Sequence, residues 1–184
     1  MKQVVKLGGS LADGSALPAC LDAVETYPGR TLLAPGGGIF AEQVRAMQAM
    51  YRYNDRIAHR MAILAMQQMA WLFHGLKPQF ALISALEDVF ATAGAGIWLP
   101  QPDELDAAGI PASWDITSDS LAAWLAARVG AERLILVKSA RFSADATLPE
   151  LQAQGVIDTA FLEYAALLAC PITVINKDNF IAGL

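Results

Sequence analysis

Short apolar runs of strand length alternate with longer stretches of helical spacing along the whole chain, and this alternation limits the fold more than any other feature. Residues 3–6, 31–34, 80–84, 97–100, 133–137 and 172–175 read as strands. Residues 17–24, 39–51, 55–73 and 159–169 carry helical apolar spacing, and TSDSLAAWLAARVG at 117–130 adds a polar start and a glycine stop. Strands separated by helices pair in parallel, and a parallel sheet needs helices on both faces. The expected fold is α/β, a three-layer αβα sandwich with a mainly parallel central sheet, spanning residues 1–184 as one domain. Residues 88–111 read as loop-rich, an excursion over the surface.

In such a sheet, ligands bind outside the carboxyl ends of the strands. VVKLGGSL at 4–11 places Lys6 and then Gly8, Gly9 and Ser10 at one such end. Glycines let backbone N–H groups approach an anion closely, and a following helix N-terminus adds a favourable dipole. PGGG at 35–38 repeats the arrangement with Gly36, Gly37 and Gly38. Two glycine-rich strand ends on one sheet can converge on a polyphosphate. Neither fits G-x-x-x-x-G-K-[ST] or G-x-G-x-x-G, so a P-loop NTPase and a dinucleotide-binding dehydrogenase are both poorly supported.

In WDITSDSLAAW, Asp115, Thr117, Ser118, Asp119 and Ser120 crowd a helix start. One of them is expected to cap the helix, which leaves hydroxyls to hold a substrate and a carboxylate to orient a lysine. Lys138 follows the strand RLILV and repeats the position of Lys6, a charge at a strand's carboxyl end. Asp55 and His59 stand four residues apart and share a helix face, as do Arg52, Arg56 and Arg60. They read either as acceptor-binding groups or as a solvated face. MAILAMQQMAWL reads as core or subunit interface.

The charge of −5, from 13 basic and 18 acidic residues, argues against a nucleic-acid partner but leaves room for one basic pocket. A hydrophobic fraction of 55% and a mean hydropathy of +0.38 predict apolar surface buried between copies, a homo-oligomer. No apolar stretch reaches the roughly 18 residues that cross a bilayer, and Lys6 interrupts the short apolar opening, so no membrane partner is expected. Cys20 and Cys170 form neither a C-x-x-C pair nor a metal-ligand spacing and read as buried free thiols, which suits a reducing cytoplasm.

VVKLGGS, PGGG and TSDSLAAWLA, in this order, resemble the motifs of the amino acid kinase superfamily. PGGGIFAEQVR, AHRMAILAMQQMAWL and SWDITSDSLAAWLA are most similar to its short-chain branch acting on [5-(aminomethyl)furan-3-yl]methyl phosphate in methanofuran biosynthesis. The resemblance implies a kinase that passes the γ-phosphoryl of ATP, with Mg²⁺, to this phosphate monoester. Other small acceptors, namely UMP, isopentenyl phosphate or an amino-acid carboxylate, stay open, as does a non-catalytic nucleotide sensor. It makes Lys6 the lysine that stabilises the moving phosphoryl group and Asp119 the aspartate that organises it. Gly8, Gly9 and Ser10 become the first phosphate-binding turn, with Ser118 on the same nucleotide side, and Gly36, Gly37 and Gly38 become the turn near the acceptor. Asp55, His59, Asp115 and Thr117 are placed on the acceptor side, with an arginine on the acceptor phosphate and Asp55 or Asp115 on an aminomethyl group. KSARFS replaces an acidic D-x-D-G-like segment of many relatives, which puts Lys138 near phosphate and Phe142 near adenine. Lys177 reads either as a second phosphate-binding cation or as a surface residue. No residue is expected to ligate the metal directly; phosphate and water oxygens hold Mg²⁺.

Overall fold

A computed structural model describes residues 1–12, 14–90 and 94–183. Its elements are β1 (Lys2–Leu7), α1 (Ala16–Thr26), β2 (Arg30–Pro35), α2 (Gly38–Tyr51), α3 (Asp55–Leu76), β3 (Ala81–Ile83) and β4 (Ala95–Trp98). They continue with α4 (Pro102–Ala107), α5 (Ser118–Arg128), β5 (Arg133–Lys138), α6 (Leu148–Ala153), α7 (Phe161–Ala165), β6 (Ile172–Asn176) and α8 (Lys177–Ala182). The six strands form one sheet of order β3-β4-β2-β1-β5-β6, and every described pairing is parallel.

Alternation along the strands sorts the core into two layers. Val4, Leu32, Ala34, Leu134 and Leu136 pack in one cluster with Leu121, Ala122 and Leu125 of α5. Val5, Leu7, Leu33, Ile97, Ile135 and Val137 pack in the other with Leu17, Leu21 and Val24 of α1 and Phe180 of α8. The sheet is therefore covered on both faces, as an αβα sandwich requires. Lys6 and Lys138 share the even parity of Val4 and Leu136, which sends both toward the α5 face.

Every strand and helix read from the sequence has a counterpart. Three short helices, α4, α6 and α8, were not expected. Each has six residues, less than two turns, too few for an apolar period to declare itself. The stretch 88–111 is more ordered than expected, since it holds β4 and α4; its residues 91–93 lie outside the described residues. The helix expected over 159–169 is α7, which stops at Ala165 and passes through turns to Pro171. Cys20 is buried and Cys170 only partly so, and both thiols are free. Among the described residues no helix is long and apolar enough to cross a membrane.

β1 lies between β2 and β5, so the chain leaves it on one side and returns on the other. This reversal opens a crevice at the carboxyl ends of the three strands. Two glycine turns meet there, backbone on backbone. A Cβ on Gly9 would stand 2.1 Å from the Gly38 nitrogen, and one on Gly36 would stand 2.5 Å from the Gly9 nitrogen. Gly38 also has φ +55, a conformation that glycine adopts freely. Gly9→Ala should therefore cost about 3 kcal/mol or more, because backbone cannot yield as a side-chain tip would; denaturant unfolding against the wild type checks this.

Candidate active site

Three buried charges converge at the crevice. Lys6 closes toward the carboxyl end of β1, Lys138 ends β5, and Asp119 lies in the first turn of α5. The Lys6 ammonium is 2.8 Å from Asp119 Oδ1, and the Lys138 ammonium is 2.5 Å from Oδ2. The residues are only 5%, 9% and 3% exposed, in the order Lys6, Lys138, Asp119. Burial by itself would push the Asp119 carboxyl up, but the two ammonium groups hold it below the usual carboxylate range. Burial, joined by repulsion from Lys6, brings Lys138 down to about 8, against the pull of Asp119. These three side chains sum to +1, at a cleft of about 580 Å³ that Gly9, Ser10, Gly37, Gly38 and the Asp158 carboxylate also line. The Ser10 hydroxyl is paired with that of Ser139 at 2.7 Å.

The cap of α5 corrects the sequence reading. None of the five polar residues at its start supplies a side-chain cap; Thr117 occupies the N-cap position without one. The cap comes from Asp158, distant in sequence. Its Oδ2 accepts from the Thr117 N–H at 2.9 Å, the Thr117 hydroxyl at 2.8 Å and the Ser120 N–H at 3.0 Å, while Oδ1 accepts from the Ser120 hydroxyl. No local pattern announces it, because the capping signature joins residues a few positions apart. Thr117, Ser118 and Asp158 all line the cleft.

The opposite wall comes from α2 and α3. Asp55 and His59 line it, with Glu42 and Arg45. Gln48 donates to Asp55 Oδ1 at 2.8 Å and accepts from the Trp114 indole at 2.6 Å. The Arg45 guanidinium lies 4.2 Å from the Trp114 ring centroid. Burial lowers the His59 pKa against the pull of Asp106, so the imidazole is neutral at physiological pH.

Other expected residues lie elsewhere. Gly8 and Gly36 support the turns without lining the cleft; the Gly36 N–H donates to the Leu7 carbonyl at 2.9 Å. Asp115 is exposed, and its carboxylate accepts from the Ser113 hydroxyl at 3.3 Å. Phe142 lines a separate cavity of about 360 Å³ with Leu148, Leu151 and Val174. Lys177 pairs with Asp178 at 2.9 Å, outside the cleft lining. The arginine stripe is not at the cleft: Arg60 is held by Asp103 and Asp106, and Arg52 and Arg56 are exposed. Spacing shows that such residues share a face but not what the face meets. Arg45, which the sequence reading passed over, is the arginine at the cleft.

A model of the amino acid kinase family matches residues 1–148. The chain belongs to the amino acid kinase family. A curated relative, the [5-(aminomethyl)furan-3-yl]methyl phosphate kinase of Methanocaldococcus jannaschii, is 27% identical over 140 residues, 72% of this chain. The match spans 63% of that relative's length. Among solved structures, the uridylate kinase of Archaeoglobus fulgidus superposes with a TM-score of 0.73 at 19% identity, covering 98% of this chain and 94% of that one. An isopentenyl phosphate kinase superposes with a TM-score of 0.66 at 13% identity, covering 98% of this chain and 95% of that one. These structures share the fold.

The titration of Lys138 has two consequences of opposite sign. Its folded pKa of about 8 lies below its ordinary 10.5, so the buried charge costs stability at neutral pH, and folding gains as pH rises between those values. Anion binding runs the other way. Affinity for an anion held against Lys138 should fall as pH rises through about 8, and Lys138→Arg, charged throughout, should remove that dependence; calorimetric titration of both proteins with ATP as the probe checks it.

Proposed function

We propose that this chain is an ATP-dependent phosphotransferase whose acceptor is a phosphate monoester, most specifically [5-(aminomethyl)furan-3-yl]methyl phosphate, converted to the diphosphate in methanofuran biosynthesis. The Lys6–Asp119–Lys138 cluster beside two glycine turns carries this reading. An oxygen of the acceptor phosphate attacks the γ-phosphorus, the bond to the β-phosphate oxygen breaks, and ADP leaves. The attacking oxygen is already anionic at neutral pH, so no general base is required. The obstacle is repulsion between two polyanions, and a pair of fixed ammonium groups with backbone N–H donors reduces it. In this role Lys6 stabilises the moving phosphoryl group, Lys138 the nucleotide phosphates, and Gly8, Gly9, Ser10 and Ser118 the nucleotide side. Phe142, four residues beyond Lys138, walls the separate cavity and is assigned to the base. Gly36, Gly37 and Gly38 sit toward the acceptor.

The residues suit ATP whose Mg²⁺ would be held by phosphate and water oxygens rather than by side chains. The Asp119 carboxylate is already shared by two lysines, and among the described residues no three His, Cys, Asp or Glu side chains cluster as a cation site. Glu42 and Asp55 on the far wall favour an acceptor with an amine at its other end, as in the substrate named for the curated relative. The likeness of fold to uridylate and isopentenyl phosphate kinases supports UMP or isopentenyl phosphate as the second reading.

An assay of ATP consumption with Mg²⁺ and a panel of the furan phosphate, UMP, isopentenyl phosphate, acetylglutamate and aspartate tests this. Turnover of the furan phosphate is expected, and Lys6→Ala should lower kcat about 10²- to 10³-fold. Turnover of another acceptor alone would replace the substrate, and ATP binding without any turnover would make the chain a sensor.

We also propose that the chain works in the cytoplasm as a homo-oligomer, closed through α3. Ile57, Leu64 and Trp71 are exposed at seven-residue steps, symmetric about Leu64, and no charged residue follows Arg60 along the helix. A two-fold axis at Leu64 would set Ile57 of one copy against Trp71 of another. Light scattering should show an assembly that Leu64→Glu dissociates; a monomer in the wild type would remove this reading.

A further inference from the structure

We infer that Asp158 is a positioning residue of the proposed site, fixing the Asp119 carboxylate, and through it both lysines, from outside the helix that carries Asp119. This deepens the reading above and rests on it for the reaction, though not for the geometry.

Four hydrogen bonds converge on the Asp158 carboxylate, two from Thr117 and two from Ser120. Those residues bracket Asp119 in sequence. An ionised carboxylate accepts at both oxygens and donates at neither, which suits four converging donors. Its charge also stands at the N-terminus of an eleven-residue helix, where the dipole favours an anion. The first turn of α5 is thereby locked, and Asp119 with it. Asp158 itself forms no ion pair with either lysine among the described residues, so it acts on them at one remove.

Asp158 acts through its field as well as through geometry. The charged groups that face Lys138 are Lys6 on β1, Asp119 on α5 and Asp158 in the segment before α7. Burial and Lys6 favour loss of the Lys138 proton, while the two carboxylates favour keeping it. A residue remote from the lysines that only braced the fold would leave that titration alone. Asp158 supports the charge as well as the position of the second lysine.

The test is Asp158→Asn, which keeps the shape and removes the charge and one acceptor oxygen. The Lys138 titration, followed by NMR on protein labelled at the lysine ε-carbon, should move below its wild-type value of about 8. With the furan phosphate, kcat should fall between ten- and a hundredfold, the range expected for a misplaced catalytic group, with KM for ATP changed far less. Asp158→Glu keeps the charge and should hold the titration near the wild-type value. An unmoved Lys138 titration in Asp158→Asn overturns the proposal, whether kcat falls or not. If Asp158→Asn does not fold, Ser120→Ala removes one of the four bonds without changing charge. It should then lower kcat and move the Lys138 titration less than loss of the Asp158 charge would, and an unchanged kcat would overturn the proposal. If the wild type turns over no acceptor, the kinase reading fails, while the NMR titration still decides the role of Asp158.

Discussion

One carboxylate holds two buried ammonium groups, and the rest of this site depends on that sharing. Lys6 and Lys138 come from adjacent strands and point to the same face of the sheet. Alone, two lysines so placed would repel. Asp119 offsets that repulsion by pairing with both. The three side chains together carry one net positive charge where little water can screen it, as the proposed phosphoryl transfer would require. The sheet sets the spacing, since Lys6 lies opposite Leu136 in the register with β5 and Lys138 follows two residues on.

The cleft is uneven in charge from end to end. Cations and glycine turns gather at the strand ends, while Glu42 and Asp55 stand on the α2–α3 wall. Arg45 is engaged with the Trp114 ring, and Gln48 ties that ring's indole to Asp55, so the wall is a connected structure rather than loose side chains. The proposed acceptor, with phosphate at one end and an amine at the other, would fit such a gradient better than a uniformly anionic molecule. The proposed catalysis is an arrangement of charge, and the fold supplies rigid strand ends on which to arrange it.

Much of this was legible in the chain. A lysine that ends an apolar run and precedes paired glycines announces Lys6, and the polar helix start announces Asp119, because both signals are local. The parity that puts Lys6 and Lys138 on one face follows from strand periodicity alone. Asp158 was not legible, since it sits in the plain segment GVIDT and meets its partners only after the sheet has closed. The arginines of α3 misled for a related reason: periodicity reports shared faces, and the acidic residues of α4 that claim Arg60 belong to a helix too short to be seen. The glycine pairs were visible as glycines, but their contact across two turns exists only in the folded sheet.

The cap on α5 bears on how the molecule comes into being. Its bonds span 38 to 41 residues, so the helix start stays open until the chain beyond α6 has been made and folded back. Local helices form early and cheaply, whereas contacts of this separation wait for loop closure. The sheet's central strands can pair while Asp119 is still loosely held. On a ribosome the finished charge cluster would thus be among the last features to mature, and a partly made chain would carry two glycine turns without an ordered carboxylate between the lysines. The ordered charge cluster arrives with completion of the fold, not ahead of it.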